Sequence, residues 1–165
     1  MSAAPPSRRW LRSWPTRCSS WVDMTLPAAD QELLDAATAL IRQRYIVGRH
    51  HIAAALRTKS GKIITGLHLD TYVGRASVCA EAVAVGQAMA QIGPNDPITD
   101  IVSVRHPRPT EQNQDIQVVA PCGICREMLR DFAPDARVLL TDDTSGGLRA
   151  YAPSDLLPLK YHRKP

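Results

Sequence analysis

The sequence predicts one α/β layered domain, and three observations carry that prediction. Segments with helical apolar spacing alternate along the chain with short β-branched runs, the order of elements that stacks helices on a sheet. Two apolar runs flank Lys59-Ser60-Gly61-Lys62 and read as a β-hairpin. With 165 residues and 44% apolar side chains, the chain has the length of one domain and enough apolar surface for one core.

Pro27, followed by Ala28-Ala29-Asp30-Gln31-Glu32, opens a helix, because proline suits a first turn and acids there complement the helix dipole. Leu33, Leu34, Ala37, Leu40 and Ile41 carry it to about Tyr45. The hairpin runs from Ile52 to Thr58 and from Ile63 to Leu69, and a polar loop spans Asp70 to Ser77. From Cys79 to about Ile92 the chain is rich in Ala, Val and Met with almost no charge, which predicts a helix buried on most sides. Ile98 to Val104 is a buried strand, Arg105 to Gln114 a proline-containing loop, and Ile116 to Val119 an extended approach to Pro121. A helix from Gly123 to Phe132, strands at Arg137–Leu140 and Leu148–Tyr151, and a short helix at Pro153–Leu157 complete the domain.

Charge and tryptophan concentrate at the start. The formal charge is +4, yet Arg8, Arg9, Arg12 and Arg17 against Asp23 place +3 of it in residues 1–23 and leave about +1 for the rest. Trp10, Trp14 and Trp21 are all the tryptophans there are. Residues 1–23 read as a disordered basic tail, an Arg-rich targeting leader, or a start placed too early with Met24 as the true one. Residues 24–165 read as the folded domain. Its near-neutral charge and single phenylalanine, Phe132, argue against a nucleic-acid partner. No run is long and apolar enough for a membrane span, so the expected location is the cytoplasm. Outside the tail three cysteines remain, an odd set that suits metal or catalytic thiols better than disulfides.

Cys79-Ala80-Glu81 and Pro121-Cys122-Gly123-Ile124-Cys125 each place sulfur at a predicted helix start, where backbone N–H groups favour the thiolate that binds zinc. Three thiolates leave the fourth corner of a tetrahedron to water, the arrangement of a catalytic site rather than a closed structural one. Glu81, two residues past Cys79, stands beside that corner without ligating. This is the pattern of zinc nucleobase deaminases. Zinc lowers the pKa of its water towards about 7. Glu81 is expected to take the water's proton, pass it to N3 of the ring and protonate the ammonia leaving C4. Pro-Cys-Gly-Ile-Cys alone also fits a thiol redox pair or half a structural zinc knuckle. A fourth ligand from His50, His51, His68 or His106 would close the site.

His50 to Tyr161 resembles the cytidine deaminase superfamily, and within it the bacterial blasticidin S deaminase branch. The words that carry the likeness are His50-His51, AALRTKSG from Ala54, HLDTYVGRASVCAE from His68, Val104-Arg105-His106-Pro107, PCGICREMLRDFAP from Pro121 and LLPLKY from Leu156. The resemblance implies a three-layer α/β/α sandwich on a mixed five-stranded sheet, and a homotetramer whose sites are finished by neighbouring subunits. It implies zinc as cofactor on Cys79, Cys122 and Cys125, with Glu81 catalytic.

Where ordinary cytidine deaminases hold the ribose with Asn-x-Glu, this chain has His68-Leu69-Asp70, which lacks the asparagine's paired donor and acceptor. Where many place an arginine after the glutamate, this chain has Ala82, so Arg126 or Arg75 is expected to offset the net −1 of three thiolates on Zn²⁺. Candidate substrate contacts are His68, Asp70, Arg75, Ala80, His106 and Tyr161. Arg75 and His106 suit a carboxylate, Asp70 or Glu111 a basic arm, and Tyr161 a closure from the C-terminus. The reading is thus a deaminase of a free cytosine nucleoside shaped like blasticidin S. Cytidine or deoxycytidine salvage is the alternative, and a non-catalytic zinc or thiol redox protein the outsider.

Overall fold

A computed structural model describes residues 26–93, 95–142 and 144–162; the basic tail and the question of Met1 or Met24 lie outside the described residues. Helix α1 is Ala28–Arg44, strands β1 and β2 are Ile52–Thr58 and Ile63–Leu67, and helix α2 is Ala80–Gln91. Then come β3 (Ile98–Arg105), β4 (Gln117–Val118), α3 (Gly123–Phe132), β5 (Arg137–Thr141), β6 (Leu148–Tyr151) and α4 (Pro153–Leu156).

The sheet has six strands, five of them in the order β2-β1-β3-β5-β6, with the two-residue β4 paired to β3 off that path. The pairing is mixed: β3 and β5 are parallel and the other neighbours antiparallel. This is the expected sheet plus one short strand, which Pro121 and the approach to α3 cut off after Val118.

Strand β1 shows why the domain has three layers. Its side chains alternate between faces, and small residues sit on both. Ala53 and Ala55 join Leu33, Ala37 and Ile41 of α1, together with Val102, Val104 and Leu139. Ala54 and Leu56 join Ala80, Ala84, Val85 and Ala88 of α2 and Leu129 of α3. Helix α1 therefore covers one face of the sheet and α2 with α3 the other.

Two expectations need correction. Strand β2 ends at Leu67 instead of Leu69, because Leu69 leaves the hairpin to pair with Val78 in an isolated bridge. Helix α2 is buried along one side: Ala80, Glu81, Ala84, Val85 and Ala88 face the sheet, while Gly86, Gln87, Met89 and Ala90 are exposed. Small apolar residues report that a helix can be buried, not how many of its sides this chain covers. Among the described residues no helix is long and apolar enough to cross a membrane.

Candidate active site

Topology brings the two sulfur-bearing turns together. β2 and β3 both run antiparallel to β1, and β3 is parallel to β5, so β2, β3 and β5 share one direction. Helices α2 and α3 follow β2 and β3 on the same face and start beyond the strands' C-terminal ends, where crevices form in α/β sheets. Cys79 is the N-cap residue of α2, Cys122 the N-cap residue of α3, and Cys125 lies in the first turn of α3. Gly66 on β2 lets α2 come this close, since a Cβ there would stand 2.3 Å from the Ala80 carbonyl oxygen and 2.4 Å from the Ala84 nitrogen.

The three sulfurs lie within 4.8 Å of one another, and Cys79 Sγ is 3.5 Å from Cys122 Sγ. A tetrahedron with Zn–S bonds of about 2.3 Å has edges of roughly 3.8 Å, so the trio fits zinc. Among the described residues no imidazole or carboxylate joins this cluster. His50, His51, His68 and His106 therefore lie outside the cluster. Glu81 is 5% exposed, and its Oε2 lies 3.5 Å from Cys125 Sγ, next to the cluster but outside it.

The thiols differ in environment. Burial pushes Cys125 well above the ordinary thiol range, with the Glu81 carboxylate and the other two sulfurs adding to it. Burial also raises Cys79, helped by its hydrogen bond with Cys122. At Cys122 burial again opposes ionisation, but hydrogen bonds from the Cys125 backbone and from Cys79 outweigh it and hold the pKa down. A divalent cation at the centre supplies the charge that makes three adjacent thiolates tolerable.

Of the predicted substrate contacts, His68, Asp70 and Arg75 lie on the loop between β2 and α2. His68 is held through its backbone, its N–H donating to Ile52 and its carbonyl accepting from His50 Nδ1 at 2.7 Å. Its ring Nδ1 is buried without a partner among the described residues. Asp70 Oδ1 accepts from the Ser77 hydroxyl at 3.0 Å, a partner that residue type alone did not reveal. Arg75 is exposed in a 3-10 turn, Gly74–Ala76.

The remaining candidates stand differently. Ala80 is fully buried, backbone included. His106 stacks on Tyr45 at 3.8 Å and donates through Nδ1 to the Pro107 carbonyl. Glu111 pairs with Arg105, a partner that competes with any basic arm. Arg126 donates through Nε to Pro121 and through Nη1 to Leu156, bracing the cysteine turn against α4. Tyr161 is 74% exposed and lines a pocket with Glu127, Asp131 and Lys160.

Comparison with known proteins agrees with this geometry. Residues 27–141 match the cytidine and deoxycytidylate deaminase zinc-binding region. A Bacillus cereus protein named blasticidin-S deaminase is 46% identical over 134 residues, covering 81% of this chain and 93% of that protein. The cytidine deaminase of Halalkalibacterium halodurans is 27% identical over 110 residues, covering 67% and 76%. The crystal structure of cytidine deaminase from Bacillus anthracis superposes with a TM-score of 0.64 at 27% identity, covering 80% of this chain and 87% of that one. The Burkholderia pseudomallei cytidine deaminase structure gives 0.63 at 28%, covering 79% and 98%. With its zinc-binding turns and its sheet both matched, the chain belongs to the cytidine and deoxycytidylate deaminase family.

Proposed function

We propose that this protein is a zinc-dependent hydrolase that converts the 4-amino group of a free cytosine nucleoside to a 4-oxo group with release of ammonia. The observation that carries the reading is the trio of convergent sulfurs with a buried carboxylate beside them. Blasticidin S, or a nucleoside of its shape, is the leading substrate, supported by the Bacillus cereus relative and by His68-Leu69-Asp70 at the sugar-binding position. Cytidine or deoxycytidine is the second reading, supported by the Bacillus anthracis and Burkholderia pseudomallei cytidine deaminase structures.

Cys79, Cys122 and Cys125 would hold the zinc, which when bound makes a water acidic enough to lose a proton near neutral pH. Glu81 takes that proton and delivers it to N3, then takes the second proton from the hydroxyl added at C4 and passes it to the departing amine, so that one water is consumed and one ammonia released. Desolvation around Glu81 keeps this exchange from leaking to bulk water. His68 and Asp70 are assigned to the sugar side, Ala80 to the wall of the substrate pocket, and Arg75 to a substrate carboxylate. With its ring stacked on Tyr45, His106 acts by shaping that wall. Arg126 offsets thiolate charge through space while bracing the turn.

A homotetramer would give the exposed Tyr161 a neighbouring subunit to meet. The unit that assembles is residues 24–165, and a reducing compartment such as the cytoplasm would keep the thiols available to metal.

The test is to incubate zinc-loaded protein separately with cytidine, deoxycytidine and blasticidin S and to follow the ultraviolet change on loss of the 4-amino group. Turnover of blasticidin S above the other two supports the leading reading. Turnover of cytidine alone transfers it to salvage, and inactivity on all three overturns both.

A further inference from the structure

The loop between β2 and α2 is closed at its neck. Leu69 and Val78 exchange backbone hydrogen bonds of 2.9 and 3.0 Å, and Asp70 N–H donates to the Arg49 carbonyl at 2.9 Å. Inside that neck the half-buried Ser77 hydroxyl does two things. It donates to Asp70 Oδ1 at 3.0 Å and accepts from the Thr71 N–H at 3.1 Å. A serine hydroxyl has one hydrogen to give, and here it goes to the carboxylate. Val78, the next residue, leads straight into Cys79 at the head of α2.

We infer that Ser77 is a positioning residue for substrate recognition: it holds Asp70 in one rotamer so that the second carboxylate oxygen is presented to a hydrogen-bond donor on the sugar-like ring. The inference rests on the proposed reading that Asp70 faces the sugar. A short aspartate cannot reach as far as a longer acid, so its usefulness depends on being held. Without the hydroxyl, Asp70 regains rotamer freedom that binding must remove again, and the Thr71 N–H loses its acceptor. Because the carboxylate touches no reacting atom, the loss falls on binding rather than on proton transfer.

The experiment compares Ser77→Ala, Ser77→Thr, Asp70→Ala and the Ser77→Ala/Asp70→Ala double variant in the zinc-loaded full chain, on whichever cytosine nucleoside the wild type deaminates. Expected are a KM raised about 5- to 20-fold in Ser77→Ala with kcat and zinc content near wild type, and return to within about threefold in Ser77→Thr. The double variant should match Asp70→Ala alone, since a held group that is absent cannot be misplaced. Independently of turnover, hydrogen exchange at the Thr71 amide should quicken in Ser77→Ala and recover in Ser77→Thr.

A raised KM in Asp70→Ala beside an unchanged KM in Ser77→Ala overturns the inference and leaves the deaminase reading intact. So do multiplying effects in the double variant. Loss of zinc or of kcat in Ser77→Ala also overturns it, by making the hydroxyl merely structural. A wild type inert on every cytosine nucleoside sinks the proposed function instead, and an unaltered Thr71 exchange rate in Ser77→Ala would then still refute the hold on the loop.

Discussion

Glu81 is the one acid buried at the head of α2, 3.5 Å from Cys125 Sγ, and a carboxylate so placed has little structural work that glutamine could not do. Glu81→Gln is therefore expected to fold and keep zinc while kcat falls by about 10²- to 10⁴-fold, the range of a lost general acid–base. Metal analysis beside the ultraviolet assay checks it, and a variant of unchanged kcat would move the proton chemistry elsewhere. Gly66 acts from the other side of the same turn. An added methyl 2.3 Å from the Ala80 carbonyl must displace α2's first turn, with Cys79 and Glu81 on it. Gly66→Ala should cost about 1–3 kcal/mol of stability and weaken zinc retention, read as a lowered melting temperature and metal content. The placing of Cys79, Cys122 and Cys125 at helix starts was legible in the sequence because that spacing is local information. His106 and Tyr161 were not, because stacking on Tyr45 and docking along α3 are long-range contacts that residue type does not announce.

At the scale of elements, α1 is joined to the sheet by a polar device at the end away from the sulfurs. Arg137 at the start of β5 donates through Nε to Asp100 on β3 at 2.7 Å and pairs through Nη2 with Asp30 in the first turn of α1. Both acids are nearly buried while the arginine is about half exposed, so solvent softens the pairing without replacing it. Arg137→Met leaves two carboxylates facing each other. It should destabilise the fold by about 1–3 kcal/mol in chemical denaturation with the zinc site untouched.

The opposite end of the sheet, just before β1, holds His51, whose pKa lies below the ordinary value of 6.5 through burial first, then its neighbours Arg108 and His68. Its Nε2 accepts the Gly48 N–H at 2.9 Å, so protonation would set donor against donor. With the folded pKa depressed, the unfolded chain takes the proton first. The stability this imidazole gives is complete above the unfolded value and is lost as pH falls through the folded one. The melting temperature should drop between about pH 7 and pH 5, and His51→Gln, which keeps an acceptor, should flatten that slope. Helices, hairpin and strands were readable because period and turn chemistry are properties of single segments. The layering was readable because helical and strand segments alternate along the chain. What could not be read was which faces stay uncovered, since a run such as Ala82 to Ala90 looks the same against a sheet or against a neighbour.

For the whole molecule that uncovered surface is the remaining physical problem. Met89 on the outer side of α2 is 40% exposed, with Gly86 and Ala90 open beside it, while Ile124 and Phe132 on α3 are 73% and 52% exposed. Apolar side chains spread over two adjacent helices on one layer favour burial against another chain, and a symmetric assembly lets one patch meet its own copy. The tetramer proposed above gives these residues a destination: four chains of 18.1 kDa make a particle of 72.4 kDa. Sedimentation equilibrium at micromolar protein should return that mass. Met89→Glu adds a charge where α2 has almost none and touches neither the sulfurs nor Glu81, so it should shift the mass to smaller species while each chain keeps its zinc. Activity would then fall with dissociation, because a site completed by a neighbour is lost with the neighbour. A wild-type mass of one chain would refute the tetramer outright, and a Met89→Glu variant of undiminished mass would move the contact off this face of α2.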